Sequence, residues 1–284
     1  MGGIKFEQQF GVSESVADKT AYGKTVNSLK TGLNKALIMI ERLYTQMKAM
    51  QMLSKAQEVT ADNLANINTP GFKGNKLFHR LLTEQVNGNE VTKTVPMQQV
   101  DLRQGVLEPT GNAFDIGIDG GGFFEVEEDG KSYLTRDGRF SLSSDGYLVN
   151  SRGANVMGIS GAIHIPEYFH ASGEGSEGME LEVAKDGTIR LNGEIYDKFS
   201  IKKVGDPANL ERRGNSYFIA DDASGVINDE MSTVMQGYYE KGNINPLNEM
   251  VDMMSNMQMF EAQQRAMRTT DEMLTQVTSK LGRF

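Results

Sequence analysis

Residues 245–284 read NPLNEMVDMMSNMQMFEAQQRAMRTTDEMLTQVTSKLGRF and carry the pattern of one long helix. After Pro246 there is no further proline, and no glycine occurs before Gly282. Proline suits the first turn of a helix, and glycine suits the position just past its end. The stretch therefore predicts an uninterrupted helix of about 54 Å, at 1.5 Å per residue.

Apolar side chains recur along this predicted helix at intervals of three, four or seven positions, which places them on one face. They are Met250, Met253, Met257, Phe260, Met267, Leu274 and Leu281. A single helix cannot bury such a stripe against itself. The pattern therefore predicts that the helix packs against partner helices.

A second amphipathic helix is predicted from Leu37 to about residues 66–68. Its apolar face includes Ile40, Leu43, Met47, Met50, Ala61 and Leu64. The helix must end there because Thr69 precedes Pro70 and is pushed toward extended geometry. Pro70 and Gly71 then suit the two central positions of a type II turn, in which glycine supplies a positive φ. Residues 1–38 are polar and predict a poorly ordered extension with a weak helix near 26–33.

Short strands are predicted between Phe114 and Phe218, where brief apolar alternations are separated by turn dipeptides. The dipeptides are Asp129-Gly130, Asp137-Gly138, Asp145-Gly146, Asp186-Gly187 and Asn192-Gly193. Loops are predicted at 120–122, 173–178 and 221–225. This middle region predicts an all-β domain rich in hairpins.

Net charge and methionine content both separate the predicted terminal helices from the predicted β-rich middle. Residues 75–244 hold 16 basic and 27 acidic residues, a net charge of −11, whereas 39–74 carry +1 and 245–284 carry −1. Eleven of the seventeen methionines lie in 39–52 or 250–273, and methionine adapts to irregular apolar contacts. The ends therefore read as interaction helices around an acidic, water-exposed domain. The alternative is a methionine-rich core of one globular domain.

The sequence predicts no enzymatic activity, cofactor or metal. Without cysteine, thiolate metal sites and cysteine nucleophiles are excluded. The three histidines, His79, His164 and His170, form no metal-binding spacing. The net charge of −9 and the lack of a basic cluster argue against nucleic acid. A pair of distant carboxylates that meets in the fold would be needed for a glycosidase site.

No membrane-spanning segment is predicted, because the longest apolar run, 36–40, is far shorter than the roughly 20 residues needed. The N-terminus also lacks the apolar core of a secretory signal. If the protein leaves the cytoplasm, its route is therefore expected to use no cleaved signal peptide.

Residues 61–74 read ADNLANINTPGFKG, which resembles the N-terminal signature of bacterial flagellar rod and hook axial proteins. Residues 115–124, DIGIDGGGFF, are similar to a second motif of that family, and 133–140 and 145–150 resemble the strands that follow it. Residues 236–246, QGYYEKGNINP, and the C-terminal helix resemble the family's closing segments. The resemblance covers residues 39–284.

The resemblance implies a structural protein that is exported through the flagellar type III apparatus and then stacks helically with other axial subunits. It implies a hollow rod that transmits torque from motor to hook, with an inner layer in which the N- and C-terminal helices pair as a coiled coil. Isolated helices are marginal in water, so both ends are expected to be largely unfolded before assembly.

Two departures from the family pattern bear on the subunit type. Some 38 residues precede the first family helix, so residues 1–38 are either a genuine extension or the product of a start codon placed ahead of Met39. The stretch between Gly74 and Asp115 is short, which favours a proximal rod subunit over a distal-rod or hook-type subunit. The competing class is a soluble β-rich binding or carbohydrate-active protein.

The predicted fold is α+β: long N- and C-terminal helices paired as a coiled-coil domain, with an all-β domain inserted between them. The predicted domains are 1–38; 39–74 with 245–284; a connecting region of 75–114 with 225–244; and 115–224. The predicted motif and turn residues are Asn63, Leu64, Asn66, Thr69, Pro70, Gly71 and Phe72. The predicted assembly residues are Leu43, Met47, Met50, Met250, Met253, Met257, Phe260, Met267 and Leu274. Gly71→Val is expected to disturb the turn, and Phe260→Asp is expected to block assembly.

Overall fold

In the order of the chain, two long helices flank a β-rich middle in the computed structural model, which describes residues 16–86, 89–165, 181–205, 210–214, 216–220 and 225–281. Helix α1 is Val16–Ala65 and helix α2 is Pro246–Leu281. The strands are β1 Asn75–Val86, β2 Asn89–Val100, β3 Leu107–Pro109, β4 Ile116–Asp119, β5 Phe123–Glu128, β6 Lys131–Thr135, β7 Phe140–Leu142, β8 Leu148–Asn150, β9 Asn155–Val156, β10 Leu181–Val183, β11 Thr188–Leu191, β12 Glu194–Lys198, β13 Ile201–Val204, β14 Leu210–Arg213, β15 Tyr217–Ala220, β16 Val226–Asn228, β17 Thr233–Gln236 and β18 Tyr238–Glu240. The α+β class is confirmed.

Helix α1 begins at Val16, well before the predicted start near Leu37. The prediction of a poorly ordered segment is therefore wrong for residues 16–38, and residues 1–15 lie outside the described part of the chain. Apolar periodicity is weak in 16–38, but a helix backbone needs only residues that tolerate the conformation. That segment contains no proline and holds several Ala, Lys and Leu residues, which favour the helix.

The first two strands form a long hairpin that the sequence analysis did not identify. Strands β1 and β2 pair antiparallel over twelve residues each, from Asn75↔Val100 to Val86↔Asn89. The chain joins them with the dipeptide Asn87-Gly88, a strong hairpin signal in any sequence. Its presence explains why the predicted connecting region is mostly strand.

The segment that leads into the β region and the segment that leads out of it run next to each other. On the way in, it forms β3 and β4, and on the way out it forms β17 and β18. Strand β3 pairs antiparallel with β18, and β4 pairs antiparallel with β17. This pairing brings the segment that follows α1 close to the segment that precedes α2.

The main sheet has the strand order β14-β15-β6-β5-β9-β8-β7, and β13 pairs with both β5 and β16. Successive side chains of a strand point to opposite faces, and β5 uses both faces for apolar packing. Phe124 belongs to the larger buried cluster with Val126 and Val156, whereas Phe123 belongs to a smaller cluster with Phe218. The core of the protein therefore lies on both faces of this sheet.

Four of the five turn dipeptides lie in hairpin loops, as predicted. In the loop between β5 and β6, Asp129 and Gly130 have φ angles of 52° and 71°, as a type I′ turn requires. Asn192-Gly193 does the same between β11 and β12, while Asp145-Gly146 and Asp186-Gly187 lie in the loops β7–β8 and β10–β11. The prediction is wrong for Asp137-Gly138, which lies buried between β6 and β7, where Gly138 C=O accepts a hydrogen bond from Ile116 N–H at 2.8 Å. The predicted loop at 120–122 is present, whereas 173–178 and 221–224 lie outside the described residues.

The chain divides into two compact units, one of 1–54 with 257–284 and one of 55–256. The boundaries fall inside α1 and α2, and the β region belongs to the second unit. The domain division predicted at 74/75 and 244/245 stays a prediction. Across the described ranges, neither helix has an apolar stretch long enough to cross a membrane.

Candidate assembly elements and the helix junction

The segment after α1 turns sharply, with the geometry predicted from Pro70 and Gly71. Phe72 N–H donates to Thr69 C=O at 3.3 Å, and Gly71 has a φ of 64°. Asn66 Oδ1 accepts a hydrogen bond from the Thr69 hydroxyl at 3.3 Å. Proline in the first central position and a positive φ in the second are the marks of a type II turn.

Gly71 is held against the β region by its backbone. Its N–H donates to Glu240 C=O at 2.7 Å. A Cβ atom at this position would lie 2.3 Å from Arg136 C and 2.3 Å from Asp137 N. The turn therefore needs glycine for two reasons, the positive φ and the close approach of another backbone.

Asn63 joins the end of α1 to two other elements. Its amide Nδ2 donates to Asn75 C=O at 3.0 Å, and its Oδ1 accepts from Asn75 N–H at 2.8 Å. Nδ2 also lies 3.2 Å from Glu249 Oε1, in the first turn of α2. Asn63 is 4% exposed, so these groups replace the bonds that water would otherwise make. One buried amide thus connects α1, β1 and α2. We call the region where these three elements meet around Asn63 the helix junction.

Glu240 is the acceptor at the centre of a buried ion cluster. Its Oε1 accepts hydrogen bonds from Lys73 Nζ and from Gly105 N–H, each at 2.6 Å. Its Oε2 accepts one from Arg136 Nη1 at 3.1 Å. The side chains of Lys73, Glu240 and Arg136 are 0%, 1% and 1% exposed. Segments that are far apart in sequence therefore meet at one carboxylate.

The cluster holds two cations and one anion. Burial lowers the pKa of Lys73, although the charge of Glu240 acts in the opposite direction. Burial likewise lowers the pKa of Arg136. Each cation also donates to a backbone oxygen, since Lys73 Nζ lies 2.9 Å from Arg103 C=O and Arg136 Nη2 lies 2.7 Å from Gly120 C=O. Among the described residues, buried Arg136 Nε has no hydrogen-bond partner. The cluster therefore holds together the segments around residues 73, 103, 120, 136 and 240.

Phe72 is the buried aromatic residue of the turn. It is 1% exposed, and the guanidinium of Arg212 lies 4.4 Å from its ring centroid. Arg212 Nη2 also donates to Lys73 C=O. Burial lowers the pKa of Arg212 to about 10, which still leaves it protonated at neutral pH. Arg212 therefore contacts the turn segment both through the ring of Phe72 and through the backbone of Lys73.

Asn243 and Asn245 organise the start of α2. Asn243 Oδ1 accepts from Gly74 N–H at 2.8 Å, and its Nδ2 donates to Asp101 C=O at 2.7 Å. Asn245 caps the helix, since its Oδ1 accepts from the N–H groups of Leu247 and Asn248 at 3.0 and 3.4 Å. These contacts fix where α2 begins.

Of the predicted motif residues, those that lie at the junction are mostly buried. Asn63, Pro70, Gly71 and Phe72 are buried, and Leu64, Asn66 and Thr69 are partly exposed. Four further residues of this region were not among the predicted site residues: Lys73, Arg136, Glu240 and Asn243. All four stand inside the quoted motifs, so a charged or amide side chain set among glycine and aromatic residues was the available signal.

The predicted assembly residues separate into two groups. Partly buried positions are Leu43, Met50, Met253, Phe260, Met267 and Leu274. Exposed positions are Met47, Met250 and Met257, at 48%, 47% and 46%. On α2, the single predicted stripe is therefore two adjacent faces, one partly buried and one exposed to solvent.

Within the first compact unit, α1 and α2 lie side by side. Gln46 Nε2 lies 3.3 Å from Thr270 Oγ1. A groove of about 490 Å³ runs between the helices and is lined by Leu43, Met47, Met50, Gln264, Met267, Arg268 and Asp271. Its floor is rich in methionine, which suits contacts with more than one neighbour.

In the ranges that the structure describes, no three His, Asp or Glu side chains are grouped closely enough to hold a metal ion. Of the buried acidic and basic side chains in those ranges, Lys73, Arg136 and Glu240 form the ion cluster, and Asp115 and Asp137 lie between strands. The lack of catalytic, cofactor-binding and metal-binding residues stays a prediction.

Three protein families match separate parts of this chain, in order along it. Residues 43–73 match the family described as flagella basal body rod protein. Residues 117–191 match the D1 domain of flagellar hook protein FlgE/F/G, and residues 235–280 match the C-terminal part of flagellar basal body rod FlgEFG protein. The first and third segments contain Asn63, Lys73 and Glu240, which build the junction.

Relatives align over nearly their whole length. The chain is 27% identical over 247 residues to flagellar basal-body rod protein FlgF of Mesorhizobium japonicum, covering 86% of this chain and 99% of that protein. It is 28% identical over 248 residues to FlgF of Salmonella typhimurium, covering 81% and 94%. It is 25% identical over 264 residues to flagellar basal-body rod protein FlgG of Bacillus subtilis, covering 85% and 99%. With both ends and the β region matched in the same order, this chain is similar over most of its length to flagellar hook and basal-body rod proteins.

Proposed function

We propose that this protein is a structural subunit of the bacterial flagellar basal-body rod and assembles helically into the hollow shaft between motor and hook. The observation that carries the proposal is the exposed apolar face of the two helices. Met47, Met250 and Met257 are each nearly half exposed, although apolar faces of this kind are normally covered by a partner. The rod proteins FlgF and FlgG, which align along almost their whole length, support the same role.

The inner layer of the shaft would consist of paired α1 and α2 helices. Side chains of low exposure recur on α2 at Met253, Asn256, Phe260, Gln263, Met267, Thr270 and Leu274. This alternation of three and four residues is the spacing of a coiled-coil seam. The Gln46–Thr270 contact supports pairing along that seam. The remaining apolar faces would then contact neighbouring subunits.

The proposed partners are further copies of this chain and other axial proteins of the rod and hook. The proposed location is the rod, outside the cytoplasmic membrane, reached through the flagellar type III export apparatus without a cleaved signal peptide. The role requires no catalysis and no cofactor. Neither nucleic acid nor the membrane interior is a proposed partner.

The proposed subunit type is a proximal rod subunit, and the alternative is a distal-rod or hook-type subunit. Relatives named FlgF and FlgG match at similar identity, so the preference rests on the chain itself. The segment from Gly74 to Asp115 is short, and the structure uses most of it for the β1–β2 hairpin. A larger inserted domain would be expected in a hook subunit.

The proposal is tested by assembly and by genetics. Purified full-length protein should form sedimenting helical tubes above a threshold concentration, and electron microscopy should show them. Loss of the gene should abolish filament growth and motility, and the wild-type gene should restore both. The proposal would be contradicted if the purified protein stayed monomeric at millimolar concentration and cells lacking the gene remained motile. Binding to oligosaccharides in that case would favour a carbohydrate-binding protein.

A further inference from the structure

The two helices are anchored at the ends that meet the β region. In α1, Val59, Thr60 and Asn63 are 5%, 7% and 4% exposed. Toward the other end of the same helix, Leu37 and Ile40 are 58% and 57% exposed. Burial therefore decreases along α1 with distance from the junction.

Helix α2 is anchored in the same way. Its cap, Asn245, follows Asn243, whose side chain is bonded to three backbone groups of the β region. Glu249 in the first turn accepts the bond from Asn63, and burial raises the pKa of Glu249. The first turns of α2 thus have contacts that do not depend on any other subunit.

These contacts bear on how a helix starts. Forming the first turn is the unfavourable step, with a nucleation constant of about 10⁻³, whereas each added residue gains a hydrogen bond. A turn that is already held by neighbouring structure removes that step. A helix that is held at one end can then grow outward when a partner surface becomes available.

We propose that the junction is a preformed helix nucleus. In the unassembled monomer, residues 55–65 of α1 and 246–256 of α2 stay helical, whereas the outer parts fold only on assembly. Asn63 is the positioning residue that couples the two, because its amide bonds to both β1 and α2. This inference rests on the proposed function, since it specifies how assembly begins. It also replaces the expectation that both ends are unfolded throughout.

Amide hydrogen exchange on the full-length monomer, kept below the assembly threshold, tests the proposal. Amides of 59–65 and 250–256 should be protected at least about tenfold more than those of 37–50 and 260–274. Amides of β5 and β6 provide the reference for an intact β region. Equal protection along the whole of each helix, or no protection in both 59–65 and 250–256, would overturn the proposal.

The Asn63→Ala variant tests the coupling, with exposed Asn68→Ala as the matched control. Asn63→Ala should lower protection in 250–256 about tenfold, the effect of losing one buried hydrogen bond, while β5 and β6 stay protected. It should also lengthen the lag of assembly about tenfold. Asn68→Ala should change neither. Loss of protection confined to 59–65 would show a local role for Asn63 and overturn the coupling.

Exchange and assembly separate the two proposals. If residues 59–65 and 250–256 are protected in a protein that never polymerises, the result supports the preformed nucleus and contradicts the rod function. If a monomer in which these segments are unprotected polymerises normally, the result supports the rod function and overturns the preformed nucleus.

Glu249→Gln keeps the acceptor for Asn63, so its exchange pattern should stay within about threefold of wild type. Glu249→Ala removes the acceptor, so its exchange pattern should resemble that of Asn63→Ala.

Discussion

Gly71 is the residue at which the turn and the close approach of another backbone coincide. Its φ is 64°, and an added Cβ would meet Arg136 C and Asp137 N at 2.3 Å. Gly111 is a matched control, because its φ is 74° but an added Cβ would meet nothing within 4 Å. The two sites therefore separate backbone strain from steric clash.

We predict that Gly71→Ala destabilises the protein much more than Gly111→Ala. A left-handed conformation alone costs an alanine roughly 1–2 kcal/mol, so Gly111→Ala should lower the free energy of unfolding by about that amount. Gly71→Ala adds a clash with backbone atoms and should cost more than about 3 kcal/mol, as should Gly71→Val. Urea denaturation measures both changes. Equal losses at the two positions would contradict the close approach.

We predict that loss of the Glu240 charge lowers the free energy of unfolding more than loss of the Lys73 charge, because the buried cluster has two cations and one anion. Removing one partner of a buried ion pair costs about 3–5 kcal/mol, so Glu240→Gln, which leaves two uncompensated cations, should cost that much. Lys73→Met leaves Arg136 paired with Glu240 and should cost less. Thermal and urea denaturation give both values.

The control for this comparison is the exposed pair at Glu108. Its Oε2 lies 2.8 Å from Lys241 Nζ and accepts from the Tyr239 hydroxyl at 2.7 Å. Exposed pairs of this kind contribute little, so Glu108→Gln should leave the denaturation midpoint nearly unchanged. A larger loss for Lys73→Met than for Glu240→Gln would contradict the assigned charge balance.

At the scale of the element, α2 has two apolar faces where one was predicted. Met253, Phe260 and Met267 are partly buried, whereas Met250 and Met257 face solvent. Periodicity places all five on one broad side of the helix, but it does not say how much of that side the partner helix covers. An aspartate at Phe260 would disturb both the helix and its assembly, so the solvent face gives the cleaner test.

We predict that Met257→Asp blocks assembly without destabilising the monomer. Met257 is 46% exposed, so a charge there costs the monomer little, but it would be buried unpaired in a subunit contact. The threshold concentration for assembly, measured by sedimentation, should rise at least about tenfold, which corresponds to about 1.4 kcal/mol. Exposed Gln258→Asp introduces the same charge on the next residue and should leave the threshold unchanged. Similar thresholds for the two variants would remove Met257 from the contact surface.

Two elements show where pattern reading succeeds and where it stops. Helix α2 runs from Pro246 to Leu281, as its boundary residues predict. Helix α1 starts at Val16, about twenty residues early, because intrinsic propensity can extend a helix where apolar periodicity is weak. The β1–β2 hairpin was recognisable from Asn87-Gly88, a signal that the sequence analysis left unused.

At the scale of the whole molecule, charge separates the helices from the β region. The net charge of −11 lies in residues 75–244, while the helical ends are close to neutral. If subunits stack through their helices, their acidic β regions come near one another and repel. That repulsion should oppose assembly.

We predict that salt promotes assembly. The Debye length falls from about 30 Å at 0.01 M to about 8 Å at 0.15 M ionic strength, which screens charges on neighbouring subunits. The threshold concentration should therefore fall as sodium chloride is raised over this range at neutral pH. Light scattering across a concentration series at each salt level measures it. A threshold that rises with salt would show that attraction between opposite charges drives the contacts instead.

The sequence by itself determined what depends on neighbouring residues: the α+β class, the end of α1, the span of α2, the type II turn at Pro70-Gly71 and four hairpin turns. The family motifs placed Asn63 and Phe72 at an important position without saying what they contact. Tertiary structure alone decided that Glu240 meets Lys73, 167 positions earlier, and that Asn63 bonds to Glu249, 186 positions later. Propensity and periodicity report on one element at a time. A buried ion cluster exists only when separate elements pack together and exclude the water that would otherwise solvate each charge.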